Sequence, residues 1–206
     1  MAYGHGGRRV GRTVTPNEFA YGGAELELLA GGITLDKNGY DGGNTGYPNE
    51  IRAGWPMGMI TSTKKWVPCK RTTTASSGTV TQATLVNAAA FKVGDAITIN
   101  GTAVTILTIN YSTNVITFAS TAITAGAVVA TDGSQTCHGF LEGTRDLYDE
   151  EQRDTVEREG NLVIGGTVDL SNLYGDMAAI WADSTSKGIL QQRFKIYSPT
   201  LGRPLS

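Results

Sequence analysis

The chain has 206 residues, 17% of them charged, with 27 glycines and a formal net charge of −2. That balance excludes a global field drawing the chain to nucleic acid or to a membrane surface, and neither is an expected partner. No apolar run approaches the roughly 18 residues of a spanning helix. Thr and Gly are abundant and long Leu/Glu/Lys runs are absent, so the composition predicts an all-β protein with many turns, in one domain or two small ones.

The first residues, MAYGHGGRRVGRTV, contain no apolar h-region and do not read as a secretory signal, which leaves a cytoplasm as the expected place of synthesis. Residues 1–17 form a Gly- and Arg-rich arm with too few apolar anchors to fold alone. The arm reads either as a flexible tail or as a segment that orders on a partner. In the second case Arg8, Arg9 and Arg12 meet acidic groups while Val10, Thr13 and Val14 add a strand to an exposed sheet edge.

Glu25-Leu26-Glu27-Leu28 alternates as a half-buried strand, and Ile33-Thr34-Leu35 resumes it after Gly31-Gly32. Residues 36–50 are dense in Gly, Asn and Asp and form a loop with turns at Asn38-Gly39 and Asp41-Gly42. Asp36, Asp41 and Asn44 offer oxygens, but their spacing does not fit a calcium-binding EF-hand loop. The next stretch, IRAGWPMGMITSTKKWVPCKR, predicts a hairpin whose strands meet at Ser62-Thr63-Lys64. Pro56 and Pro68 argue for edge or bulged strands, because proline cannot donate to a ladder. Trp55, Met57, Met59 and Trp66 read as core, with a subunit or partner contact as the alternative.

Residues 76–136 differ from what precedes them. They hold only three charged side chains, Lys92, Asp95 and Asp132, among many Thr, Ala, Val and Ile. Asn100-Gly101 and Ser112-Thr113-Asn114 supply turns between short strands, which predicts a β-module inserted into the fold formed by 18–75 and 137–206. Cys69 and Cys137 bracket this module. An insertion leaves and returns at neighbouring points, so the two thiols are a candidate disulfide at its neck. Such a bridge is worth roughly 4 kcal/mol in the chain-entropy model for a loop of about 69 residues. Two separately buried thiols are the default in a reducing compartment. Residues 141–160 carry eight acidic and three basic side chains and predict a charged loop with one helical turn. After the apolar strand NLVIGGTVDL, a single short helix is expected near Asp176 to Asp183, capped by Asp176 and ended before Gly188. LQQRFKIY alternates as the last strand.

Catalytic signals are missing. There is no phosphate-binding glycine loop and no dinucleotide fingerprint. Cys69, Cys137 and His138 make three zinc-type ligands without a fourth. Adjacent Cys137 and His138 point to opposite faces of a strand and cannot act as a nucleophile–base pair. The expectation is a protein that is not an enzyme, with no catalytic, metal or cofactor site.

The segments 20–71 and 138–197 resemble the head decoration, or capsid cement, proteins of tailed bacteriophages. ELELLAGGITL is similar to that family's first core strand, IRAGWPMGMIT and KKWVPCK to its hairpin, and NLVIGGTVDLSNL to the strand leading into its small helix. The long loop 36–50 and the insertion 76–136 depart from the pattern. The resemblance implies a small β-barrel or β-tulip-like domain with one short helix, carrying the inserted β-module and the N-terminal arm. It implies a homotrimer on the outer capsid surface, at three-fold and quasi-three-fold positions of the expanded shell, clamping the major capsid protein. The arm would lie on coat protein, and the 76–136 module would project toward a host surface or a neighbouring trimer. The competing readings are another phage structural part (tail tube, connector or adhesin) and a carbohydrate-binding adhesive β-protein.

Overall fold

A computed structural model describes residues 19–20, 25–76, 79–198 and 203–205. The chain is all-β, as its composition predicts. The first strands are β1 (Leu26–Leu28), β2 (Ile33–Leu35), β3 (Glu50–Ile51), β4 (Pro56–Met59), β5 (Trp66–Pro68) and β6 (Arg71–Thr73). The Thr-rich stretch gives β7 (Gln82–Thr84), β8 (Ala96–Ile99), β9 (Thr102–Asn110), β10 (Val115–Phe118) and β11 (Ala127–Ala130). There follow β12 (Gly139–Leu141), β13 (Arg145–Asp146), β14 (Tyr148–Asp149), β15 (Asp154–Thr155), β16 (Arg158–Gly160) and β17 (Leu162–Asp169). Helices α1 (Met177–Ala182) and α2 (Ser184–Gln191) precede β18 (Phe194–Ser198) and β19 (Arg203–Leu205).

One nine-stranded sheet runs β16-β2-β5-β4-β12-β17-β18-β19, with β1 also pairing β17. The predicted hairpin is present: Met57 faces Pro68 and Met59 faces Trp66 across β4 and β5, and Lys64 adopts the left-handed conformation at the turn. Its place in the sheet differs from the edge position that the prolines suggested. Both strands are interior, with β2 flanking β5 and β12 flanking β4. The prolines fit because Pro56 opens its strand and Pro68 closes the other. Cys69 N–H donates to Pro56 O (2.7 Å), and the Cys69 carbonyl, which Pro56 cannot reach with a donor, accepts from Arg71 N–H (3.1 Å).

The second sheet runs β6-β11-β8-β9-β10-β7, so β6 belongs to it although Arg71–Thr73 precede the 76–136 segment. Its two terminal strands meet. Thr74 bridges Leu85, Ala75 N–H donates to Thr84 O (2.8 Å), and Val86 N–H donates to Thr73 O (2.9 Å). The sheet thereby closes on a core of its own around Phe91, Ile97, Ile99, Ile106, Ile116, Phe118 and Val128. Asn100 and Gly101, both at positive φ, make the β8–β9 turn.

The charged stretch 141–160 is not a loop with a helical turn. β13 pairs with β3, β14 with β15 as a small hairpin, and β16 with β2. The single expected helix is two. Asp176 caps α1 by accepting from Ala179 N–H, and Asp183 ends it and caps α2 by accepting from Ser186 N–H. Gly188 lies inside α2 rather than beyond a helix end.

The nine-stranded sheet is covered by two cores. One gathers Phe19, Cys69, Cys137, Phe140, Val163, Ile180, Leu190 and Phe194 beneath the helices. The other gathers Leu35, Ile51, Trp55, Met57, Leu141 and Leu162, and it includes Ala89 and Ala90 from the second unit. The segment that carries the second sheet therefore contributes side chains to the core beside it.

Candidate binding groove

The hairpin divides its large apolar residues between core and surface. Trp55 and Met57 are fully buried, whereas Met59 and Trp66, paired across β4 and β5, are half-buried. They line an apolar groove of about 640 Å³ together with Leu29, His138, Ile164 and Ile189. The His138 ring packs edge-on to Trp66, with centroids 5.5 Å apart. Burial lowers the pKa of His138, so the neutral imidazole is favoured there. Arg193 stands at the rim and is exposed. The groove presents aromatic and aliphatic surface with one cation at its border. Such a surface is suited to burial against a partner.

The buried charges are committed elsewhere. Asp41, with its side chain fully buried, receives Arg52 Nε (2.7 Å), Arg52 Nη2 (2.9 Å) and Trp55 Nε1 (2.7 Å). Arg52 stacks on Tyr174 at 4.0 Å, and Trp55 stacks on the same ring. Asp36 accepts from Asn38 N–H (2.8 Å) and Asn38 Nδ2 (2.9 Å), while Asn44 Nδ2 donates to Glu50 O (3.1 Å). The Asp41 and Asp36 carboxylates thus serve to order the loop. Lys70 pairs with Asp95 at 2.7 Å. Among the described residues, no group of three or more His, Cys, Asp and Glu side chains is placed to hold a metal ion.

Cys69 and Cys137 share one core cluster but are free thiols, not a disulfide. Each donates to a backbone carbonyl, Cys69 Sγ to Gln135 O (3.4 Å) and Cys137 Sγ to Gly139 O (3.5 Å). Burial raises the pKa of both, that of Cys137 to about 12, which keeps them protonated and poorly nucleophilic.

The proposed arm residues Arg8, Arg9, Arg12 and Val14 lie outside the described residues. Sequence reasoning did not bring out His138, Leu29 or Ile189 as groove residues. Only the folding together of segments far apart in the chain gathers them. It also missed the ties that fasten the two units. Asp176 Oδ2 accepts from Thr72 Oγ1 (2.8 Å) and Thr73 N–H (3.3 Å), and Arg71 pairs with Asp183 at 3.0 Å. The two helix caps are thus also the anchors of β6.

No protein-family model, curated protein or solved structure matches this chain.

Proposed function

We propose that this chain is a structural virion protein that binds the outer surface of a bacteriophage capsid as a homotrimer and stabilises the expanded shell. The observation that carries the reading is the division of labour among the large side chains. Asp41, Lys70 and Asp176 are buried and satisfied internally, while Met59 and Trp66 lie open in an apolar groove. A clamp needs rigid units and adhesive apolar surface more than reactive groups. The hairpin that carries the groove is also the segment whose sequence resembles decoration proteins. Trimeric symmetry multiplies modest contacts through avidity.

The test is rebinding. Shells stripped of their outer proteins are mixed with the purified chain and sedimented, and the free chain is analysed by sedimentation velocity. The reading expects a trimer that co-sediments with shells. A monomer that stays in the supernatant overturns it, and rings or tubes in the electron microscope would favour a tail or connector part.

A further inference from the structure

The loop 36–50 and the segment 88–92 of the second unit form a tight seam. Gly42 N–H donates to Ala89 O (2.8 Å), and Tyr111 Oη donates to Phe91 O (2.9 Å). Tyr40 packs against Tyr111 with ring centroids 5.6 Å apart. A Cβ on Gly42 would fall 2.2 Å from the Tyr111 ring, so this approach requires glycine. Across the seam, Lys92 Nζ donates to Asn38 Oδ1 at 2.9 Å. The same carboxamide donates from Nδ2 to Asp36 Oδ1 at 2.9 Å, and Asp36 is buried.

A lysine amine, a carboxamide and a buried carboxylate are therefore joined by successive hydrogen bonds. The amine lies against the oxygen of the carbon it would attack. The carboxylate lies against the nitrogen that would leave. Asp95 does not claim the amine: its Oδ1 holds Lys70 Nζ (2.7 Å) and its Oδ2 holds the Lys92 backbone N–H (2.9 Å). Burial and the positive charge of Lys70 push the Lys92 amine below its ordinary value, and the charges of Asp95 and Asp36 oppose this only in part. More of the amine is then in its neutral, nucleophilic form. Asn38 itself is exposed, so a small leaving molecule has a path to solvent.

We propose that Lys92 and Asn38 join in an intramolecular isopeptide bond that the chain forms by itself, with Asp36 carrying the proton. Lys92 Nζ bonds to Asn38 Cγ, and the Cγ–Nδ2 bond breaks. The proton released by Nζ passes through the Asp36 carboxylate to Nδ2, which departs as ammonia. No oxidant, metal or cofactor enters the balance, and Asp36 is regenerated. The loop closure and the Tyr40–Tyr111 contact hold the two side chains together, so an intramolecular reaction replaces a bimolecular encounter. The product is a covalent tie between the two units at the seam of the loop 36–50. This inference stands apart from the capsid reading and concerns the chain alone.

Intact mass spectrometry of the purified full chain tests it. The bond lowers the mass by one ammonia, about 17 Da, and a proteolytic digest contains a branched peptide joining residues 38 and 92. K92R and N38A are expected at full sequence mass. D36N is expected to stay at full mass at least about a hundredfold longer than the natural chain, the usual scale of general acid–base help. A natural chain that remains at full mass after prolonged incubation in its folded state overturns the proposal. So does a 17 Da deficit that persists in K92R, which would place it in a succinimide at Asn38-Gly39, about the same loss of ammonia by a different bond.

Discussion

At the residue scale, Asp41 shows how the protein uses its few charges. One fully buried carboxylate satisfies three donors from Arg52 and Trp55. Removing it leaves a guanidinium and an indole N–H without their acceptor, so Asp41→Ala should cost about 3 kcal/mol in chemical denaturation. Gly58 has a steric duty in the hairpin: a Cβ there would sit 2.0 Å from the Ser134 carbonyl oxygen. Gly58→Ala therefore forces backbone apart and should destabilise by about 2 kcal/mol or more, read from the same titration. The thiols give a chemical readout. Cys69 and Cys137 are buried and their thiolates disfavoured, so the native protein should resist a disulfide-exchange reagent at pH 8 and release two equivalents only on unfolding. His138 sets a pH dependence. Burial depresses its pKa in the folded state below the ordinary value of 6.5, so the unfolded chain binds more protons there. Stability is retained above that value and falls as pH drops below it. The denaturation midpoint should decline between pH 7.5 and 5.5, and His138→Gln should flatten the decline.

At the element scale, the turns were legible because their chemistry is local. Asn38-Gly39 and Asn100-Gly101 mark the bends that form, and Asp176 marks the start of α1. The second helix was not legible, because Ser184–Gln191 opens with Ser and Thr and carries Gly188 in its middle, all poor helix formers. Its cap and its packing of Leu190 into the core override that preference. The interior position of β4 and β5 was hidden for a related reason. The donor that Pro56 lacks comes from Arg71, and only the folded chain shows it. The caps carry the next prediction. Asp176 holds both the α1 N-terminus and Thr72 on β6, so Asp176→Ala should cost about 3 kcal/mol, more than the roughly 1 kcal/mol of a simple cap. A measured loss near 1 kcal/mol would mean the tie to β6 contributes little. Burial alone would raise the pKa of Asp183, but Ser186 and Arg71 outweigh it and hold the carboxyl below its ordinary value. Its contribution is present above pH 4 or so and is lost as acidification carries the pH down through its folded pKa.

At the scale of the whole molecule, the contacts that fasten the two β-units include those of β6 with the helix caps and the seam of the loop 36–50 with Ala89 and Ala90. The second sheet draws most of its strands from the Thr-rich stretch after residue 76, and it also takes in β6 from before it. Its seating was not legible in the sequence, because Asp176 lies 104 residues from Thr72 and Lys92 lies 54 from Asn38. The second sheet is closed where β6 meets β7, through the Thr74–Leu85 bridge and the hydrogen bonds beside it. The nine-stranded sheet keeps the apolar groove, and there the proposed capsid attachment has its best-defined surface. Trp66→Ala should weaken shell binding at least tenfold while leaving the fold intact, since half-exposed aromatics dominate interface energy. The most direct measurement is a reconstruction of the phage particle with this chain present and with it stripped away. The account predicts three-fold difference density on the outer shell surface at three-fold and quasi-three-fold positions. Density in the tail or the connector, or none on the particle, would contradict it.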